Sequence, residues 1–262
     1  MRLNILVFIK QVPDTNEVKI DPVTKTLIRE GVPSIINPDD KNALEEAIKI
    51  KEKFGAKVTV ITMGPPQAET ALMEALAMGA DDAYLLTDRA FAGADTYATA
   101  KALSKVAEKF QYDIIFCGRQ AIDGDTAQVG PQMAEQLGIP QVTYVKEVVV
   151  DKDLITVKRA LEDGYEIIKV KTPVLLTAIK ELNNPRYPSI KGVFRAYKEN
   201  KINIVTADDL GIDKSYLGLK GSPTKVIATS TPETERAGEM IQGNPKEIAV
   251  KLVEKLKEKH VL

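Results

Sequence analysis

The residues of this chain best suited to chemistry gather between positions 113 and 138, DIIFCGRQAIDGDTAQVGPQMAEQLG. Arg119, Gln120, Asp123, Asp125, Thr126 and Gln128 follow an apolar run, with Gly118, Gly124 and Gly130 among them. Ile114, Ile115, Phe116 and Cys117 read as a buried strand that Gly118 ends. Residues 119–125 read as a polar loop. Met133, Ala134 and Leu137 are spaced for the buried face of a helix that Gly138 stops. Asp125 with Gln128 three residues on resembles a capping box. Pro131 fits a first turn but not a helix interior, so the helix starts either at the Asp125 cap or as late as Gly130. On both readings backbone N–H groups at the helix start face the strand's carboxyl end. That arrangement suits an anion such as a phosphate. It is neither a Walker loop nor a G-x-G-x-x-G turn, and many strand–loop–helix turns bind nothing.

Other chemistry is excluded by shortage. His260 is the only histidine, three residues from the end of the sequence, so no Ser-His-Asp or Cys-His constellation can be built. Cys117 is the only cysteine, which excludes an internal disulfide and a cysteine metal cluster and fits a reducing cytoplasm. A net charge of −1 gives no reason to expect nucleic acid or an anionic membrane as partner. The apolar start of the chain is too short for a membrane span and reads as a first strand. Electron chemistry here would need a bound organic cofactor.

Stepping along the chain, residues 3–12 predict a strand with Lys10 and Gln11 at its carboxyl end. Residues 15–37 read as loop, with a possible turn over 21–26. A helix follows Asn37-Pro38, with Asp39 or Asp40 as its N-cap and Gly55 as its end. Strands are expected at 57–62, 83–87 and 113–117, and helices at 67–78 and at 96–110, the latter capped by Asp95. This βαβαβαβα order predicts a mainly parallel sheet covered by helices on both faces, a three-layer α/β/α fold. Ligands of such sheets bind at the carboxyl ends of the strands. Phe8-Ile9-Lys10, Asn37-Pro38-Asp39-Asp40, Met63-Gly64-Pro65 and the run from Cys117 to Val129 all end there. Gly64-Pro65 taken alone is an ordinary turn.

Residues 141–150, 154–160, 165–170 and 174–178 are rich in β-branched residues and predict antiparallel strands that extend the sheet. A short helix is expected over 190–199. Residues 200–243 read as irregular, suited to an arm on a partner. A last helix over 244–259 has one apolar face, for its own core or a partner's. The expected division is an α/β domain over 1–199 and a C-terminal arm and helix over 200–262.

As a string, Gly118-Arg119-Gln120-Ala121-Ile122-Asp123-Gly124-Asp125-Thr126-Ala127-Gln128-Val129-Gly130 closely resembles the nucleotide-binding signature of electron-transfer flavoprotein β subunits. So do Phe8-Ile9-Lys10-Gln11-Val12, Asn37-Pro38, residues 76–81 (LAMGAD) and Asn184-Pro185-Arg186-Tyr187. The resemblance implies an obligate heterodimer with an FAD-carrying α subunit and a shuttle that docks on acyl-CoA dehydrogenase-type flavoenzymes. Residues 183–195 would be the recognition loop, with Ile190 as its apolar anchor and Tyr187 and Val193 beside it. Ordinary members hold a structural AMP in the crevice. Electron-bifurcating members hold a second FAD and pass electrons from NADH to ferredoxin or flavodoxin. Ala127-Gln128-Val129 resembles the bifurcating group, where smaller side chains leave room beside the pyrophosphate. FAD is therefore expected, with AMP as the alternative occupant. Asp123 and Asp125 are expected as caps or ribose contacts, balanced by Lys10 and Arg119. The fold also resembles adenine-nucleotide α-hydrolases, but no Ser-Gly-Gly run follows the first strand.

Overall fold

The computed structural model describes residues 3–14, 19–20, 27–28, 33–227 and 238–262. Two compact units divide the chain, Met1–Val226 and Ile227–Leu262. The first is built on nine strands. In chain order they are β1 (Asn4–Phe8), β2 (Lys57–Met63), β3 (Asp82–Leu86), β4 (Ile114–Gly118), β5 (Gln141–Asp151), β6 (Leu154–Leu161), β7 (Gly164–Lys171), β8 (Val174–Ala178) and β9 (Ile202–Val205). They form one sheet in the order β7-β6-β5-β8-β4-β1-β2-β3-β9. Every pair from β5 to β9 is parallel, and β6 runs antiparallel to both of its neighbours.

Its longer helices are α1 (Pro38–Phe54), α2 (Glu69–Met78), α3 (Thr96–Ala107), α4 (Val129–Leu137) and α5 (Ile190–Glu199). The alternation of β1 sorts them into layers. Ile5 and Val7 face a core with Leu44, Ile48 and Leu72 from α1 and α2. Leu6 and Phe8 face the opposite core with Ala100, Leu103, Met133 and Ala134 from α3 and α4. Strands buried on both faces read as continuous apolar runs, as parallel sheets require. The three-layer α/β/α architecture is therefore present, with an antiparallel extension at one edge.

Several local expectations are corrected. Val174–Ala178 is not an outer antiparallel strand; it inserts between β4 and β5, parallel to both. Its five residues are all buried, the pattern of a parallel strand covered on both faces. Residues 202–205, expected to be irregular, pair with β3 as an edge strand. The N-cap of α1 is Asn37 with Pro38 at the first helical position, so neither Asp39 nor Asp40 caps it. The turn expected over 21–26 lies outside the described residues.

In the second unit, α6 (Pro245–Glu258) opens with a capping box. Asn244 accepts from the Glu247 N–H and Glu247 reaches back to the Asn244 N–H. No helix among the described residues is long and apolar enough to cross a membrane.

Candidate functional site

Chain order runs outward from β1 in two directions, through β2 and β3 on one side and through β4 on the other. The switch point lies between β1 and β4, and their carboxyl ends open a crevice there. The first turn of α1 fills its floor. Asp40 accepts from the Lys10 N–H at 2.7 Å and from the Gly118 N–H at 2.9 Å, tying the exits of both strands. Asn37 holds the following loop: its amide donates to the Gln120 carbonyl at 2.8 Å and its Oδ1 accepts from the Ile122 N–H at 3.0 Å. The Arg119 N–H donates to Ala178 on β8 at 2.8 Å.

Four side chains of the crevice form two ion pairs. Lys10 Nζ lies 2.6 Å from Asp123 Oδ1, and the Asp123 side chain is only 2% exposed. Arg119 Nε lies 3.4 Å from Asp39 Oδ2, and its guanidinium stands over the Tyr144 ring. Burial pushes the Asp39 carboxyl up, and Arg119 opposes that shift. Burial pushes Asp40 up to about 7 against the hydrogen bonds from Lys10, Asn37 and Gly118. Burial, then the nearby Asp40 charge, pushes the Cys117 thiol far above its ordinary range, so it is not a nucleophile near neutral pH.

The expected capping box at Asp125 does not form. Asp125 and Ala127 take positive φ, 49° and 54°, and α4 begins at Val129 with Gln128 as N-cap. Asp125 instead accepts from the Gln120 side chain. Left-handed Ala127 followed by right-handed Gln128 is the backbone of an anion-binding nest. Among the described residues the N–H groups of 126–129 have no hydrogen-bond acceptor. These N–H groups, together with the Arg119 guanidinium, whose Nε makes no hydrogen bond, are donors available to an anion. Gly124 and Ala127 contribute little bulk, and a Cβ on Gly124 would meet nothing within 4 Å.

The structure thus brings Lys10, Asn37, Asp39, Asp40 and 118–123 into one bonded cluster. Phe8 and Ile9 lie buried at the end of β1 beside it. Met63, Gly64 and Pro65 share the sheet edge one strand further on; the Gly64 N–H goes to Leu86. Ala121 accepts from the Gly124 and Asp125 N–H groups and so shapes the turn. Sequence reasoning missed Thr96, whose hydroxyl donates to Gln128 Oε1 at 3.1 Å while accepting from Gln132 at 3.3 Å. The signal was available, because Thr96 opens the helix after β3 at the same sheet edge.

Comparison with known proteins decides the family. Residues 24–210 match the electron transfer flavoprotein domain. The chain belongs to the electron transfer flavoprotein family. It is 78% identical over 260 residues to the electron transfer flavoprotein subunit beta of Thermoanaerobacterium thermosaccharolyticum, covering 99% of this chain and 100% of the relative. Identity is 64%, with the same coverage, to the protein of that name from Clostridium acetobutylicum. It is 55% over 263 residues to subunit CarD of the caffeyl-CoA reductase-Etf complex of Acetobacterium woodii, covering 99% and 100%.

A second exposed feature of this family member lies on α5. Arg186 grips α1 through Glu45, with Nε–Oε2 at 2.9 Å, and through Glu52. Asn183 bonds the Asn42 carbonyl and Glu46. The 183–189 segment is thereby fixed to a rigid helix. Ser189 caps α5, and Gly192 lies so close to the Ala77 carbonyl that any side chain there would overlap it. Ile190, held on this base, is 92% exposed, and Tyr187, Val193, Phe194 and Tyr197 are exposed with it.

Proposed function

We propose that this chain is the β subunit of a heterodimeric electron-transfer flavoprotein and holds FAD in the crevice between β1 and β4. The observation that carries the reading is the 126–129 turn, with its unpartnered N–H groups and the small side chain of Ala127. Those N–H groups would hold the pyrophosphate, and the Asn37, Asp40 and Lys10–Asp123 bonds fix the loop that presents them. FAD bound there supplies hydride acceptance and single-electron release, chemistry for which the chain has no side chain of its own. With NADH as donor, the heterodimer would divide electrons between ferredoxin or flavodoxin and, through the α-subunit FAD, an acyl-CoA dehydrogenase-type partner in the cytoplasm. The relative that is a subunit of a caffeyl-CoA reductase-Etf complex supports a partner of that type. Within the C-terminal region expected as an arm, 200–262, α6 is the proposed contact for the α subunit, since it leaves Val250, Leu252 and Val253 exposed.

The test is the cofactor content of the purified heterodimer. Two FAD per heterodimer is the expected result. One FAD and one AMP would leave an ordinary electron shuttle and sink the bifurcation reading.

The exposed Ile190 is the proposed dehydrogenase contact. A branched side chain presented on a rigid base loses little freedom on docking and can fill a partner pocket. Ile190→Ala should lower the rate of coupled dehydrogenase turnover about tenfold, an expected hot-spot loss of about 1–2 kcal/mol. Flavin content should not change. Unchanged coupling would remove Ile190 from the interface.

A further inference from the structure

Asp40 is a buried carboxyl at 7% exposure, and among the described residues no Lys or Arg forms an ion pair with it. The two cations near it are committed elsewhere, Lys10 to Asp123 and Arg119 to Asp39. Its oxygens are instead held by the main chain at the two strand exits that open the crevice. Gly118 has no side chain because a Cβ there would overlap Asp40 Oδ1. The floor of an anion site is thus built around a carboxyl group with no countercharge.

We propose that Asp40 is a positioning residue that links occupancy of the crevice to proton binding: an anionic nucleotide entering the site is accompanied by a proton taken up on this carboxyl. The proposal rests on the nucleotide reading given above. Its physical cause is repulsion between like charges in a poorly solvated site. An ionised Asp40 opposes a pyrophosphate at the same sheet edge, and a neutral one does not. Reciprocity then requires that the nucleotide raise the proton affinity of Asp40 by the factor that protonation raises nucleotide affinity.

The groups around it favour titration near neutrality. Asp39 on the same turn adds negative charge. The Cys117 thiol on β4 is neutral, and Lys10 on the β1 exit and Arg119 beyond β4 are already paired. Glu181 acts on Asp39 in the same sense. Burial is the main cause that raises Asp40, the bonds from Lys10, Asn37 and Gly118 oppose it, and the balance leaves the carboxyl at about 7. The sign follows. A carboxyl raised from its ordinary range is neutral below about 7, so nucleotide affinity is highest there and falls as pH rises through that value.

FAD is the probe for the test, because its pyrophosphate diester does not titrate between pH 5.5 and 8.5. The heterodimer keeps its α-subunit flavin and is emptied at the β crevice. Calorimetry at pH 7.5 in two buffers of different ionisation enthalpy counts the protons taken up. Uptake of a substantial fraction of a proton is expected for the wild type and none for Asp40→Asn. Wild-type affinity should fall about three- to tenfold from pH 6 to pH 8.5, at most tenfold per pH unit, and that of Asp40→Asn should stay flat. Should Asp40→Asn fail to fold, selectively labelled wild type gives the answer. The Lys10 and Gly118 amide resonances should titrate together near pH 7 and shift to a higher midpoint with FAD. Binding without proton uptake, or uptake that survives in Asp40→Asn, overturns the linkage alone. No FAD binding at any pH overturns the nucleotide reading with it.

Discussion

Gly118→Ala should unfold the crevice of this protein, lower its stability by about 3–5 kcal/mol and remove its nucleotide. The added methyl has nowhere to go. It would overlap Asp40 Oδ1 and lie 2.6 Å from the Asp40 nitrogen and 2.8 Å from the Asp39 carbonyl carbon. Two of these neighbours are helix backbone, which does not yield as a flexible side chain does. Relief requires α1 to move away from β4, and that separates the Asp40 carboxylate from the Gly118 and Lys10 N–H groups. Overpacking costs about 1–3 kcal/mol, and each buried group left without its partner costs about 1–3 kcal/mol more. In a chain of this size the midpoint of thermal unfolding should drop by roughly 10 °C. Gly124→Ala is the control, since its Cβ would meet nothing within 4 Å. It should leave the melting temperature within about 2 °C, because an exposed substitution without contacts stays near ±0.5 kcal/mol. Equal melting temperatures for Gly118→Ala and wild type would show that the Asp40 clamp does not hold the crevice.

The contrast between these two glycines shows what the sequence carries and what it does not. Both stand in the same string, yet one is fixed by a carboxylate 78 positions earlier in the chain. Periodicity reports what lies on a face, and it located β1 to β4 and the helices between them. Asp95 was readable as the cap of α3 because a capping bond is local: it accepts from Ala98, three residues on. The non-local bonds were hidden. Asp40 reads as a first-turn acid, and nothing near it in sequence reveals that it serves Lys10 and Gly118. The direction of Val174–Ala178 was misread because it was grouped with the strands before it; its unbroken burial is the pattern of a parallel strand covered on both faces. Ile202–Val205 was missed because an edge strand of four residues, with Asn203 and Ile204 exposed, lacks a clean pattern. Asp125 and Ala127 defeated the capping-box reading because their left-handed backbone breaks the helix before Gln128. That same break creates the N–H-rich turn.

On the proposed reading, in which the crevice holds FAD, Ala127→Asn should strip that FAD and abolish NADH-driven ferredoxin reduction while sparing the flavin of the α subunit. The backbone makes this substitution unusually clean. Ala127 sits at φ 54°, where alanine is strained and asparagine is among the few residues at ease. The variant should therefore fold at least as well as wild type. What changes is the space beside the 126–129 N–H groups, where a polar side chain replaces a methyl. Its amide can compete for the same ligand oxygens and crowd the path beyond the first phosphate. A tenfold or greater loss of FAD affinity corresponds to about 1.4 kcal/mol or more, a modest demand for a side chain placed in a pyrophosphate channel. AMP, which ends at that phosphate, should bind the variant with little loss. Ala127→Gly separates backbone from bulk: glycine also relieves the strain but adds no atoms, so it should keep FAD. Retention of FAD by Ala127→Asn, with ferredoxin reduction intact, would show that small side chains at this turn do not select the larger nucleotide.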